Sequence, residues 1–594
     1  LNAGLFVESA GARLPAVAII GSLMSWLVLA SWWFNAAGAV GVMPSLAVLI
    51  GLTLVTLAGH AWTNAHAPKP QTPTLVSGIW HLISSGLFLG LVGHLFLYLL
   101  AYNREWTLPP WPLFGGLLVI TLGTSAAALY SRAVLLHAAG VAAAAFVVAA
   151  WTSVAAPPPW PTVALLAGAA VSAYAIGWIV LWRGRGELEV PAIGAAAALF
   201  IGQLTAILSM DGAEYPPIFF LTLAQAANIA AILALTWLRG WRWVAIAAAL
   251  AAWVGVIDWS GTWSDLLLLV SALYVVLLAY PLVLGGRVRE HRDPYIAAIV
   301  GSAMFFFGGR AALEGGGYGW MVGAVPVIAA IGLAVLLRQL LTIERAGERD
   351  LGRLALVAGA ALGFITVAIP LQLEHQWITI GWTLEGAALA WLYTRIPHRG
   401  LLYFAVALLA AVFARLAVNP EIFRYEPRGE LRILNWYLYT YVIAAATFFA
   451  ASRWLWKTED GLLGGKIRPS RILPGAAVVL LFLLVNIEIA DFYATGPEIM
   501  FRFGAGLSQD LTYTIAWLVF GMLLLAAGIY AHARAARVTA VALIAVTTFK
   551  CFLYDLSSLE GLYRVVSFVG LGISLALVSL VLQKYVLARP QESQ

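Results

Sequence analysis

Apolar runs long enough to cross a bilayer follow one another along the chain, each broken by a short polar turn. A spanning helix needs about 20 largely apolar residues. The runs centre near residues 23, 48, 87, 120, 143, 171, 199, 227, 249, 274, 303, 330, 360, 384, 408, 443, 481, 520, 545 and 573. They are continuous and rich in Ala, Leu and Gly, which excludes a β-barrel, whose strands alternate in polarity. Connections are short, the longest expected near 418–431, 491–509 and 453–471. No soluble domain is therefore predicted, and chemistry is confined to the helix bundle and its two faces, where irregular backbone must be buried or wet. The Pro-rich stretches at 65–74 and 155–161 read as stiff turns.

Composition agrees with this pattern. Of 594 residues, 62% are hydrophobic and only 10% charged, with a mean hydropathy of +0.90. A soluble globule carries about a quarter charged residues. The net charge of +6 needs no nucleic acid to explain it, because basic residues gather on the cytoplasmic side of membrane proteins. If the first span leaves the cytoplasm, 25 of the 34 Lys and Arg fall on that side. The expected fold is thus an all-α integral membrane protein of about 20 transmembrane helices, with both termini cytoplasmic. Cys551 is the lone cysteine, so an intrachain disulfide is impossible.

The polar punctuation repeats. At an offset of 135, "TIGWTLEGAALAWLYTRIPHRG" lies over "TIAWLVFGMLLLAAGIYAHARA", matching Trp382 with Trp517, Gly386 with Gly521 and Arg415 with Lys550. Slightly further on, "LRILNW" matches "YRVVSF", bringing Arg432 onto Arg564. The unit is four spans, and an even number keeps successive units parallel. The clearest pair is 376–454 and 511–586. Residues 1–200, spans 1 to 7, carry weak repeats, and 201–594 hold spans 8 to 20.

Candidate chemistry follows from charges placed near hydrocarbon. A basic residue recurs at the outer end of the third helix of a unit, followed by an acid: Arg310 by Glu314, Arg415 by Glu421, Lys550 by Asp555. A cation in the last turn of a helix is favoured by its dipole, by about 0.3–1 kcal/mol. Of nine outer basic residues, eight (Arg310, Arg415, Arg424, Arg428, Arg432, Arg502, Lys550 and Arg564) belong to the C-terminal half. Such a surface suits a phosphate or carboxylate. Arg415, Arg432, Lys550, Arg564, Asp555 and Asn435 are the candidate substrate-binding residues. Glu385 lies mid-span with nothing basic within a turn, the setting of proton and ion coupling. Gln225 and Asn228 share a face and are read as holding helices together. Asn486, Glu488 and Asp491 close span 17 on the outer side. The histidines at 60, 66, 81 and 94 lack metal-ligand spacing and are read as interfacial or packed. No cofactor motif is present, and no metal, cofactor or catalytic residue is assigned.

"AIPLQLEHQWITIGWTLEGAALAWL", "LRILNWYLYTYVIAA" and "TTFKCFLYDLSSLEGLYRVVSFVGLGISL" resemble the recurrent segments of a bacterial family of multi-spanning membrane proteins, domain of unknown function 2339. The resemblance covers residues 200–594. It implies a bacterial inner-membrane setting and draws attention to Pro370, Trp377, Trp382, Glu385, Asn435, Trp436, Lys550, Asp555 and Arg564. It also implies a cytoplasmic segment ahead of Leu1.

The expected function is transport, flipping or handling of an envelope-related anionic substrate, lipid-linked or small, with an anionic lipid or lipid-linked glycan as partner. One alternative is an assembly subunit that binds a membrane protein partner. Another is a membrane-embedded transferase, against which the expected first outer turn, "FNAAG", offers no acid.

Overall fold

A computed structural model describes residues 2–12, 14–65, 75–182, 189–210, 215–257, 259–284, 290–343, 350–424, 435–457, 461–463, 465–494, 499 and 506–555, with isolated positions from 565 to 579. The chain divides into two compact units, Leu1–Glu348 and Arg349–Gln594.

Unit 1 consists of α1 (Asn2–Ala12), α2 (Pro15–Val40), α3 (Val42–Ala65), α4 (Leu75–Ser84), α5 (Val92–Ala101), α6 (Arg104–Thr107), α7 (Trp111–Ser131) and α8 (Val134–Thr152). It continues with α9 (Trp160–Trp182), α10 (Glu189–Leu208), α11 (Ile218–Arg239), α12 (Val244–Ile257), α13 (Trp263–Val283), α14 (Asp293–Gly315) and α15 (Ala324–Ile343). Unit 2 consists of α16 (Leu351–Gln372), α17 (His375–Arg395), α18 (Arg399–Ala417), α19 (Trp436–Leu455), α20 (Pro469–Tyr493), α21 (Leu507–Tyr530) and α22 (Arg534–Lys550). Among the described residues the one non-helical pairing is an isolated bridge between Leu462 and Ile467.

Helix starts follow local chemistry. Proline opens α2 and α20, where its missing N–H is no loss. Asp350 accepts from the backbone N–H groups of Gly352 and Arg353 to cap α16, and Asn435 accepts from that of Leu438 to cap α19. Helix α2 ends at Gly41, φ +92°, and "FNAAG" is helical. The expected turn is therefore displaced toward the residue that tolerates a left-handed backbone.

Among the described residues, fifteen helices are long and apolar enough to cross a membrane, against about twenty expected for the whole chain. All predicted centres but the last fall in described helical segments, yet four of those segments do not qualify as spans. Helix α12 has only 14 residues. The run around residue 87 is broken at Gly86, φ +71°, leaving a 15-residue helical piece, Leu87–Ala101. Helix α17 is diluted by Gln376, Thr379, Thr383 and Glu385, and α19 by its Trp and Tyr residues. The centre near 573 lies where few residues are described.

Packing within each unit is that of a membrane bundle. On α10 the buried positions include Ala192, Gly194, Ala195, Ala198 and Gly202, while large side chains such as Val28, Phe219, Leu223 and Leu523 face outward. Lipid rewards apolar surface as readily as a neighbouring helix does, so small residues collect where backbones approach. Gln203 Nε2 donates to Gln225 Oε1 across α10 and α11 at 2.9 Å, in keeping with the helix-holding role read for Gln225. His60 and His94 are buried beside Ser22 and Thr121, their ring nitrogens 3.0 and 3.3 Å from those hydroxyls.

Candidate functional site

Of the residues singled out by sequence, Glu385, Arg415 and Lys550 stand in unit 2 on two helical hairpins. Helix α17 packs on α18, and α21 packs on α22. The α17–α18 crossing is set by Gly386, where a Cβ would fall 2.7 Å from Leu409 Cδ2. The α21–α22 crossing is set by Gly521, where a Cβ would fall 2.8 Å from Ile544 Cγ1. Both contacts stand 135 residues apart at each partner. Only a residue without a side chain admits so close an approach.

The basic residues occupy matching positions in these hairpins. Arg415, in the last turn of α18, donates from Nε to Thr379 Oγ1 of α17 at 3.0 Å. Lys550, in the last turn of α22, donates from Nζ to Thr514 Oγ1 of α21 at 2.8 Å and to the Asp510 carbonyl at 3.0 Å. Arg310, by contrast, pairs locally with Glu314, Nε to Oε1 at 2.8 Å, on an exposed surface. Thr379 and Thr514 are uncharged, so the expectation that a cation near hydrocarbon pairs with an acid passes over them. The signal was present nonetheless, since the two threonines open the aligned segments.

Each hairpin is also tied to the helix before it. Trp382 Nε1 donates to the Thr366 carbonyl of α16 at 3.1 Å, and Trp517 Nε1 to Asn486 Oδ1 of α20 at 2.9 Å. One helical turn further on, the two hairpins differ. The first carries Glu385, 5% exposed, with Oε1 2.6 Å from Thr366 Oγ1. The second carries Phe520, its ring centroid 5.4 Å from that of Phe482 on α20.

The environment of Glu385 is incompletely satisfied. Its Oε2 is buried without a hydrogen-bond partner among the described residues. Thr366 Oγ1 also lies 3.0 Å from the Leu362 carbonyl. One hydroxyl proton serves one acceptor at a time, so a protonated Glu385 can donate to Thr366 while Thr366 donates to Leu362. An ionised carboxylate at this place requires a counter-charge. Thr379, the contact point of Arg415, is six residues from Glu385, about 9 Å along the helix axis. Arg415 and Glu385 therefore mark different levels of α17.

Asn435 belongs to a third arrangement. Its amide donates to Glu488 Oε2 at 3.1 Å and to Asp491 Oδ2 at 3.2 Å, while its carbonyl caps α19. It thus joins the start of α19 to the end of α20. The carboxylates stand near a helix N-terminus, where negative charge is favoured. Arg432 and Arg564 lie outside the described residues, as does the side chain of Asp555.

No curated protein matches the chain. No solved structure does so either. A family model for predicted membrane proteins, DUF2339, matches residues 188–505 and 500–585. These matches take in both hairpins, Glu385 and the Asn435 arrangement, and the chain belongs to the DUF2339 family of predicted membrane proteins.

Proposed function

We propose that this membrane protein transports, flips or otherwise handles an anionic envelope-related substrate, lipid-linked or small, in a bacterial inner membrane, with Glu385 as its coupling carboxylate. The observation carrying this reading is the contrast between the hairpins. At corresponding positions one holds a buried carboxyl with an oxygen unpartnered among the described residues and the other a half-buried aromatic pair. Phe520 indicates that such a hairpin packs without an acid, so the presence of Glu385 calls for a reason other than packing. Buried ionisable groups in membrane helices are expensive and commonly mark proton or ion pathways. The shared offset of 135 supports treating the hairpins as copies of one ancestral unit, of which the first carries the carboxyl.

The anionic class of substrate rests on the one-sided distribution of outer basic residues. Arg415, Arg432, Lys550 and Arg564, with Asp555 and Asn435, form the proposed outer recognition surface. A flipping assay tests the reading. Protein is reconstituted into vesicles containing fluorescent phosphatidylglycerol, a pH gradient is imposed, and movement between leaflets is followed by chemical bleaching of the outer leaflet. Gradient-dependent movement that Glu385→Gln abolishes is the expected result. Equal movement in wild type and Glu385→Gln overturns the coupling role, and no movement in wild type overturns flipping of this lipid.

A further inference from the structure

A polar pocket of about 260 Å³ opens in unit 1 among the ends of α11 and α13 and the start of α14. Its walls include Trp237, Trp241, Arg242, Tyr280, Glu290 and His291. Helix α11 ends at Gly240, φ +71°, where the backbone N–H groups of Gly240 and Trp241 both donate to the Thr236 carbonyl. This tight exit brings Trp241 and Arg242 back beside Trp237 of the last turn.

The hydrogen bonds at the floor have a definite direction. Thr236 Oγ1 lies 2.6 Å from the Leu233 carbonyl and 2.6 Å from Tyr280 Oη. The carbonyl can only accept, so the threonine proton goes to Leu233 and Tyr280 must donate to Thr236. The lone pairs of the Tyr280 oxygen are left to accept. Tyr280 is 5% exposed, so this acceptor is held in place at the pocket floor.

We infer that the pocket binds a phosphoethanolamine group, the headgroup of a zwitterionic phospholipid or its free form. Arg242 and His291 offer donors to a phosphate. Glu290 and the Tyr280 oxygen offer acceptors to a primary ammonium, whose charge also suits the faces of Trp237 and Trp241. A purely anionic guest meets the Glu290 carboxylate, and a purely cationic one meets Arg242. A trimethylammonium group has no N–H to give Tyr280. The setting fits the guest, since tryptophan and arginine at helix ends mark the headgroup level of a bilayer. The site lies in unit 1 and is independent of the reading offered for Glu385.

Native mass spectrometry of the full chain in detergent tests this, with phosphatidylethanolamine, phosphatidylcholine and phosphatidylglycerol offered in equal amounts. Phosphatidylethanolamine is expected to be retained about tenfold over the other two, the scale of one charge-assisted hydrogen bond. Arg242→Gln lowers retention of both phosphatidylethanolamine and phosphatidylglycerol. Glu290→Gln and Tyr280→Phe lower only that of phosphatidylethanolamine, and Glu290→Gln raises phosphatidylglycerol. Displacement of bound lipid by free phosphoethanolamine identifies a soluble guest of the same site, and its failure to displace identifies the lipid. Equal retention of the three lipids, or a preference for phosphatidylethanolamine untouched by both Arg242→Gln and Glu290→Gln, overturns the assignment.

Discussion

Lys550 reaches from the last turn of α22 to Thr514 of α21, Nζ to Oγ1 at 2.8 Å, and Arg415 makes the corresponding contact with Thr379. A cation that looks anomalous in the sequence thereby acquires a structural task, since it clasps the two helices of its hairpin near one end. Both residues are half-buried, so each contact is expected to be modest. Double-mutant cycles on Lys550→Met with Thr514→Val, and on Arg415→Met with Thr379→Val, should each give a coupling of about 1 kcal/mol in mixed-micelle unfolding. A coupling near zero would show that the contacts leave stability untouched.

Glu385 should behave differently. An ionisable group buried in a membrane helix is costly, and Thr366 keeps the Leu362 carbonyl as acceptor when the carboxyl is removed, so Glu385→Met is expected to hold or raise the unfolding midpoint. Thr366→Val, which removes the hydroxyl but keeps the carboxyl, should destabilise by about 1–3 kcal/mol. The opposite order of stabilities would make Glu385 a structural hydrogen-bonding residue.

The glycine crossings predict a selective rescue. Gly386→Ala and Gly521→Ala each force a methyl group against a branched side chain, with an expected loss of about 1–3 kcal/mol. Leu409→Ala should recover stability in the Gly386→Ala background and none in the Gly521→Ala background. Ile544→Ala should do the reverse. Rescue in both backgrounds would argue against two separate contacts.

Asn435 joins a helix cap to two carboxylates. Asn435→Ala removes both functions and should cost about 1 kcal/mol for the cap, with a further loss for the acceptors left behind. Asn435→Asp keeps the cap but sets a third carboxylate beside Glu488 and Asp491. It is expected to unfold at a lower denaturant concentration than Asn435→Ala, and the reverse ranking would show that the cap dominates.

Much of this was legible in the chain itself. Uninterrupted apolar runs determine a helical membrane protein, because hydrocarbon leaves the backbone no partner outside its own helix. The offset of 135 already paired Gly386 with Gly521 and Arg415 with Lys550, and the resemblance in the C-terminal two thirds placed the chain in its family. Hydropathy reports how apolar a segment is, but neither its rotation nor its depth. Those two quantities decide which side chains meet across helices. The tertiary structure alone therefore turned Lys550 toward an uncharged threonine, left one oxygen of Glu385 without a partner among the described residues, and drew Arg242, Tyr280 and Glu290 from three helix ends into one pocket.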